Sequence, residues 1–147
     1  MSEIRAFFTE SQEQQIIEAI QRAELHTSGE IRVHIEAHHD KDAYPRAIDV
    51  FAALEMHKTA DQNGVLFYLA TEDHQFAILG DKGINAKVPA NFWESIKDGM
   101  QTEFRKGNFT DGLVQGILKS GKALSEYFPY QDDDVNELPN EISTGLN

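Results

Sequence analysis

The chain has 147 residues, no cysteine and a formal net charge of −12 at pH 7. This length is typical of one domain, and the absence of cysteine excludes disulfides, thiolate zinc sites and thiol nucleophiles. The acidic charge disfavours binding to nucleic acid or to anionic membranes, because both need clustered lysine and arginine. We therefore expect cations as small partners, and neither nucleic acid nor a membrane.

The two ends of the chain lead us to expect a cytoplasmic protein with an acidic tail. The first residues, MSEIRAFFTESQ, contain no apolar stretch of signal-peptide length, and no run elsewhere is long and apolar enough to span a bilayer. Residues 131–147 contain five acidic side chains and no lysine or arginine, a composition typical of a solvated tail. We predict one domain over residues 1–130 and a disordered tail over 131–147.

The first part of the chain predicts a helix, a strand and a second helix. Thr9 and Gln12 have the spacing of a capping box, and helical periodicity then runs from about residue 10 to 25. Residues 30–37 alternate between apolar and polar side chains, which is typical of a half-buried strand. Apolar residues recur at helical spacing again from residue 42 to about 57, so a second helix is expected there.

The centre of the chain predicts a β-hairpin. GVLFYLA at 64–70 is a continuous apolar run, the pattern of a strand that is buried on both faces. TEDH forms a tight break, and QFAILG at 75–80 returns as the antiparallel partner. The first strand and the strand at 64–70 are separated by a helix, which predicts a parallel pair joined by a right-handed crossover.

Two more helices follow the hairpin. The segment GDKGINAKV predicts a loop, and Pro89 then opens a third helix with an apolar stripe. Thr110 or Asp111 can cap a fourth helix, in which Gly116 and Gly121 permit close helix contact. The element order α-β-α-β-β-α-α predicts an α/β fold, a three-layer α/β/α sandwich around a small mixed sheet.

The predicted topology brings oxygen-bearing side chains to one pole of the sheet, where the first two strands start and the third ends. These side chains belong to Glu30, Asp61, Asn63 and Asp81. Carboxylate, amide and backbone carbonyl oxygens are the ligands that Ca²⁺ and Mg²⁺ prefer. The alternative is that Asn63 and Asp81 are turn residues whose side chains bind neighbouring amides.

A second polar group is expected at the opposite pole, between the end of the first strand and the hairpin turn. Imidazole and carboxylate together can bind zinc, but adjacent histidines in a strand point to opposite faces. We therefore favour a solvated loop over a zinc site for this group, which comprises His38, His39, Asp40, Asp42, Asp73 and His74.

Four segments together resemble the TPM-domain family, in particular its small free-standing bacterial members: TSGEIRVHIE, NGVLFYLA, FAILGDKGINAKVPANFW and FTDGLVQGILKSGKAL. The resemblance covers about residues 10–128. It implies a Rossmann-like α/β/α sandwich that does not bind nucleotides and is often associated with divalent metal. It also implies acid phosphatase activity, which is described for a plant thylakoid-lumen member.

These observations predict a domain that binds a divalent cation, Ca²⁺ or Mg²⁺, through Asp81, Asp61, Asn63 and Glu30. The resemblance extends this site to hydrolysis of phosphomonoesters, with Asp81 and Asp61 as catalytic residues and Lys82 contacting the phosphate of a phosphorylated small molecule. The chain contains no GxxxxGK, GxSxG or HExxH motif. The alternative function is a non-enzymatic assembly or repair module, whose cation-ordered loops bind a protein partner.

Overall fold

The computed structural model describes residues 8–129 and 142–143. In these residues one sheet is formed by three strands, β1 (Glu30–Glu36), β2 (Gly64–Ala70) and β3 (Gln75–Gly80). The α-helices of the same residues are α1 (Glu10–Glu24), α2 (Ala43–Ala53), α3 (Lys82–Asn85), α4 (Phe92–Arg105) and α5 (Phe109–Tyr127). A 3₁₀ turn over Met56–Lys58 follows α2.

The strands pair in the order β1-β2-β3, which confirms the predicted mixed sheet. β1 and β2 are parallel, with Glu30 opposite Gly64. β2 and β3 are antiparallel, with Val65 opposite Gly80. The starts of β1 and β2 and the end of β3 therefore lie at one pole of the sheet, as the sequence predicted.

Helices cover both faces of the sheet, so the three-layer sandwich is confirmed. On one face the apolar side of the sheet packs against α1, α4 and α5, around a core that includes Ile20, Val33, Phe67, Met100 and Ile117. On the other face α2 packs against β2 and β3, around a core that includes Ala47, Val50, Leu66, Tyr68 and Ala77. β2 is buried along its whole length, as expected for a strand between two helical layers.

Glycines of α5 allow this helix to approach its neighbours closely, as predicted. A Cβ atom at Gly121 would lie 2.5 Å from the Cβ of Ala23 on α1 and 2.8 Å from its Cα. A Cβ atom at Gly116 would lie 2.6 Å from the Sδ atom of Met100 on α4. The close packing of α5 on α1 and α4 therefore depends on glycine, which has no side chain, at these two positions.

Three helix starts differ from the prediction. Helix α4 begins at Phe92, with Asn91 at its cap position, and not at Pro89. The segment after the hairpin is not only a loop, because the one-turn helix α3 follows β3 directly and Asp81 accepts a hydrogen bond from Lys82 N at 2.8 Å. A helix of four residues is too short to show a periodic pattern. The prediction that Thr110 or Asp111 caps α5 is wrong, since the cap position is Asn108. The capping box of Thr9 and Gln12 at the start of α1 is confirmed.

The polar face of β1 is largely covered, with Glu30 and His34 buried and Arg32 and Glu36 partly buried, so the prediction of a half-buried strand is wrong for this face. His34 is fully buried, and Glu36 lies beneath α2, where Arg46 binds it through Nε–Oε2 (2.8 Å) and Nη2–Oε1 (2.9 Å). The Tyr68 hydroxyl also donates to Glu36, and His34 Nε2 lies 3.1 Å from Glu36 Oε1. A charged pair and its hydrogen bonds therefore join the sheet to α2.

The hydrogen bonds of this network set the ionisation of its members. Burial opposes ionisation of the Glu36 carboxyl, but bonds from Arg46, Tyr68 and His34 outweigh it and lower the pKa of Glu36 to about 2. Burial lowers the pKa of His34, although the hydrogen bond to Glu36 opposes this effect. A neutral His34 donates from Nε2 to Glu36 and accepts at Nδ1 from the Ser143 hydroxyl at 2.9 Å.

Residues 142–143 pair with the outer edge of β1. Ser143 N donates to Val33 O at 2.8 Å, and Ile35 N donates to Ser143 O at 2.9 Å. Ile142 packs against the larger core. The sequence did not predict this contact, and the rest of the predicted tail over 131–147 lies outside the described residues. The contact satisfies backbone groups that an edge strand would otherwise expose.

We expect Gly121→Ala to lower the free energy of unfolding by about 1–3 kcal/mol, because the added methyl group meets the backbone of Ala23. Gly99→Ala on α4 is the matched control, since its nearest neighbour is the flexible Lys119 Nζ at 3.4 Å. That control should stabilise the protein by about 0.5–1 kcal/mol through helix propensity. Urea denaturation measures both, and a Gly121→Ala variant as stable as the parent contradicts the close helix contact.

We expect Glu36→Gln to destabilise the protein by about 3–5 kcal/mol at pH 7, because Arg46 stays buried without its partner. The pKa of Glu36 is lower in the folded state than in the unfolded state, so its contribution is complete above about pH 5 and is lost as the pH falls towards 2. Urea denaturation from pH 7 to pH 3 should show the parent and variant converging. Glu72→Gln, at an exposed site in the hairpin turn, is the control.

Candidate metal site at one pole of the sheet

Backbone hydrogen bonds hold three strand ends together at the predicted pole. Asp81 N donates to Gly64 O at 2.9 Å, which extends the β2–β3 pairing by one residue. Glu30 N donates to Asn63 O at 3.4 Å, at the start of the β1–β2 pair. Asn63 directly precedes β2, and Asp81 directly follows β3, the antiparallel partner of β2. The two residues therefore lie at the same end of the sheet, as the predicted topology required.

The loop before β2 lies against the first turn of α3. Gly83 N donates to Gln62 O at 2.8 Å, and Gln62 has a left-handed φ of 51°. A Cβ atom at Gly83 would lie 2.1 Å from the carbonyl oxygen of Asp61 and 2.5 Å from that of Gln62. Only glycine permits this approach, which places two backbone carbonyl oxygens beside the helix that Asp81 begins.

Asp81 presents a buried oxygen atom that the described chain does not satisfy. Its side chain caps α3 through Oδ1, which accepts from Lys82 N, and the residue is 8% exposed. The second oxygen, Oδ2, is buried and has no hydrogen-bond partner in residues 8–129 and 142–143. A buried polar atom without a partner costs free energy, so this oxygen is a candidate ligand atom.

Asn63 is also buried, at 1% exposure, and is held from two sides. Its backbone N donates to Thr59 Oγ1 at 3.3 Å, and its side-chain Nδ2 donates to Ser28 Oγ at 3.4 Å. The capping bond of Asp81 and these contacts of Asn63 agree with an interpretation as turn residues. That interpretation does not account for the Oδ2 atom of Asp81.

A further carboxylate at this pole, that of the partly buried Glu24, was not predicted. Glu24 ends α1, and its Oε2 accepts a hydrogen bond from Ile31 N at 2.7 Å. Burial raises the pKa of Glu24 to about 8; the hydrogen bond from Ile31 opposes the rise, and the charge of Glu30 adds to it. Helical periodicity identifies Glu24 only as a polar residue at a helix end. The sequence could have placed Glu24 near this pole, because the predicted first helix ends only a few residues before the predicted first strand begins.

The structure places the predicted ligands at different depths. Glu30 is buried at 2% exposure, like Asn63 and Asp81, whereas the side chains of Asp61 and Lys82 are exposed. No group of three or more histidine, aspartate or glutamate side chains in the described residues is arranged to hold a metal ion. A cation at this pole would therefore need amide, backbone carbonyl or water oxygens in addition to carboxylates.

The polar group at the opposite pole forms hydrogen bonds within itself. His38 Nδ1 lies 2.7 Å from Asp73 Oδ1, and His38 Nε2 lies 3.0 Å from Asp40 Oδ1. These two bonds raise the pKa of His38, whose side chain is 58% exposed. Of the remaining members, His39 bonds Asp73 through its backbone N, Asp42 occupies the cap position of α2, and His74 lies in the hairpin turn. Both nitrogens of His38 are thus already used by carboxylates.

In the part of the chain that the structure describes, no helix combines the length and apolar character needed to cross a membrane.

Comparison with solved structures identifies proteins with the same fold. The chain is 52% identical to the BA42 protein of the psychrophilic bacterium Bizionia argentinensis, with a TM-score of 0.86 over 93% of this chain and 94% of that chain. The N-terminal domain of the cg2496 protein of Corynebacterium glutamicum is 14% identical, with a TM-score of 0.65 over 87% of this chain and 80% of that chain. An N-terminal domain from P. gingivalis is 19% identical, with a TM-score of 0.66 over 85% and 83%.

No curated protein matches the chain. The family model of the TPM domain, named TPM phosphatase, matches residues 3–123, which include every strand and helix up to α5 and the complete pole around Asp81. The match confirms the family that the four sequence segments indicated. The chain belongs to the TPM domain family.

Proposed function

We propose that this protein binds a divalent cation, Ca²⁺ or Mg²⁺, at the pole that contains Asp81, Asn63 and Glu30. The observation that carries the proposal is the Oδ2 atom of Asp81, a buried carboxylate oxygen without a hydrogen-bond partner in the described residues. A bound cation satisfies such an atom, because hard cations prefer carboxylate oxygen.

The surroundings of Asp81 supply further oxygen atoms of the right chemistry. Asn63 contributes an amide oxygen, and the close approach of Gly83 places the carbonyl oxygens of Asp61 and Gln62 beside the same helix. The exposed carboxylate of Asp61 can reach a cation from the solvent side, and water completes the coordination. The net charge of −12 adds a general attraction for cations.

We expect Asp81→Asn to weaken cation binding at least about tenfold, because it removes a ligand charge. Asparagine is also a good helix cap, so the variant should keep α3 intact. Calorimetry with CaCl₂ and with MgCl₂ measures the affinity, and amide NMR shifts at residues 61–64 and 80–84 locate the ion. Asp98→Asn, an exposed site on α4, is the matched control and should bind as the parent does.

The cation proposal fails if these amides do not move at cation concentrations up to about 10 mM, which exceeds the dissociation constants of weak protein calcium sites. It also fails if Asp81→Asn and Asp98→Asn bind with equal affinity.

Hydrolysis of phosphomonoesters is a second candidate function, and the position of Lys82 favours it. Its ammonium group is exposed at the residue that follows the buried Asp81, where it can hold the phosphate of a phosphorylated small molecule. A bound divalent cation supplies charge that polarises a phosphoryl oxygen. The exposed carboxylate of Asp61, on the loop that faces α3, can accept a proton from the attacking water. The ester P–O bond then breaks, and the departing alcohol oxygen takes a proton from solvent.

Turnover of an aryl phosphate with Mg²⁺ or Ca²⁺ tests this second candidate. We expect Asp61→Asn to lower turnover about 10²-fold or more through loss of a general base, while cation affinity falls much less. Lys82→Met should raise KM, and Lys87→Met, at a second exposed lysine near α3, serves as its control. Turnover that Asp81→Asn leaves unchanged would come from another source.

Intact cation binding without turnover would instead favour an assembly or repair module that binds a protein partner.

A further inference from the structure

A cavity of about 270 Å³ lies at the pole opposite Asp81, where the β2–β3 turn meets the end of α4 and the start of α5. The residues that define its chemistry are Leu69, His74, Phe76, Phe104, Arg105 and Phe109. Neither the candidate metal site nor the Glu36 network includes any of these residues. The cavity therefore has no role in the function proposed above, and an inference from it is independent of that function.

Three aromatic rings form one wall of this cavity. The ring centroids of Phe76 and Phe104 are 4.9 Å apart with an interplanar angle of 75°, and those of Phe104 and Phe109 are 5.5 Å apart. All three residues are only partly buried, so ring surface remains accessible. Aromatic rings bind other rings through edge-to-face and offset stacked contacts, which makes a flat aromatic group the best match for this wall.

The polar lining of the cavity has the opposite charge to the protein as a whole. The chain contains 25 acidic residues and 13 lysine and arginine residues, yet the lining includes Arg105 and His74 and no carboxylate. The side chains of Arg105 and His74 make no hydrogen bond or ion pair with the described residues. The next residue, Lys106, differs in this respect because its Nζ lies 3.8 Å from a Glu103 oxygen. A free guanidinium beside an apolar wall favours a planar carboxylate.

His74 lies at the cavity rim, in the turn between β2 and β3. Its φ is 53°, a left-handed conformation that histidine, asparagine and aspartate adopt more often than other residues with a side chain. The conformation fixes the position of His74 beside the aromatic wall.

We propose that this cavity binds a small aromatic carboxylic acid. The ring of the ligand lies against Phe76 and Phe104, and its carboxylate binds Arg105, with His74 as a further donor at the rim. Cavities for drug-sized ligands measure about 300–1,000 Å³, so a cavity of this volume takes a single ring with a short acidic side chain.

Amide NMR during titration with 3-phenylpropionate tests this proposal, with the neutral 3-phenylpropanamide as the matched ligand. We expect the acid to shift amides of residues 69–76 and 101–109 and to leave residues 61–64 and 80–84 unchanged. The amide should bind at the same residues about tenfold more weakly, because it lacks the charge that Arg105 recognises. Binding at 61–64 would instead assign the acid to the candidate metal site and overturn the proposal.

Arg105→Gln should weaken binding of the acid about tenfold and leave binding of the amide unchanged. Arg22→Gln removes an exposed guanidinium on α1, outside the cavity, and should change neither ligand's affinity. The proposal is overturned if the acid gives no shifts at concentrations up to about 10 mM, a ceiling that corresponds to negligible affinity. It is also overturned if the two arginine variants bind the acid equally, since the carboxylate would then not contact Arg105.

Discussion

The rest of the structure depends on the burial of β2 between two helical layers. All seven residues of this strand are buried, so its backbone groups cannot bind water and must pair with β1 on one side and β3 on the other. Parallel pairing with β1 and antiparallel pairing with β3 then bring Glu30, Gly64 and Gly80 to one pole. The polar residues at that pole are therefore brought together because the backbone of the buried strand β2 must form hydrogen bonds with both neighbouring strands.

The two poles differ in chemistry because different elements close them. At one pole the loop before β2 packs against α3 through Gly83, and one buried oxygen of Asp81 has no hydrogen-bond partner in the described residues. At the other pole the hairpin turn meets two helix ends, and aromatic side chains with Arg105 line the space between them. An acidic protein thus has one pole rich in buried oxygen atoms and one with a cationic, aromatic cavity.

The pair of Glu36 and Arg46 contributes to the stability of the sandwich. It fixes α2 on the sheet through charge and hydrogen bonds, whereas the layer of α1, α4 and α5 depends on apolar packing and on close contacts at glycine. His34 connects the same network to Ser143, so the chain's last described residues contribute to the edge of the sheet. The two faces are therefore held by different kinds of interaction.

The sequence by itself determined the family, the strands, the sheet topology and the pole at which Asn63 and Asp81 lie. It could do so because apolar periodicity identifies each strand, and the connections between strands then fix whether neighbours run parallel or antiparallel. Only the tertiary structure decided that Arg46 of α2 pairs with Glu36 of β1, that Glu24 joins the pole and that one oxygen of Asp81 has no hydrogen-bond partner in the described residues. These features depend on contacts between residues far apart in the chain, and an alternating or helical pattern carries no information about which element covers a polar side chain.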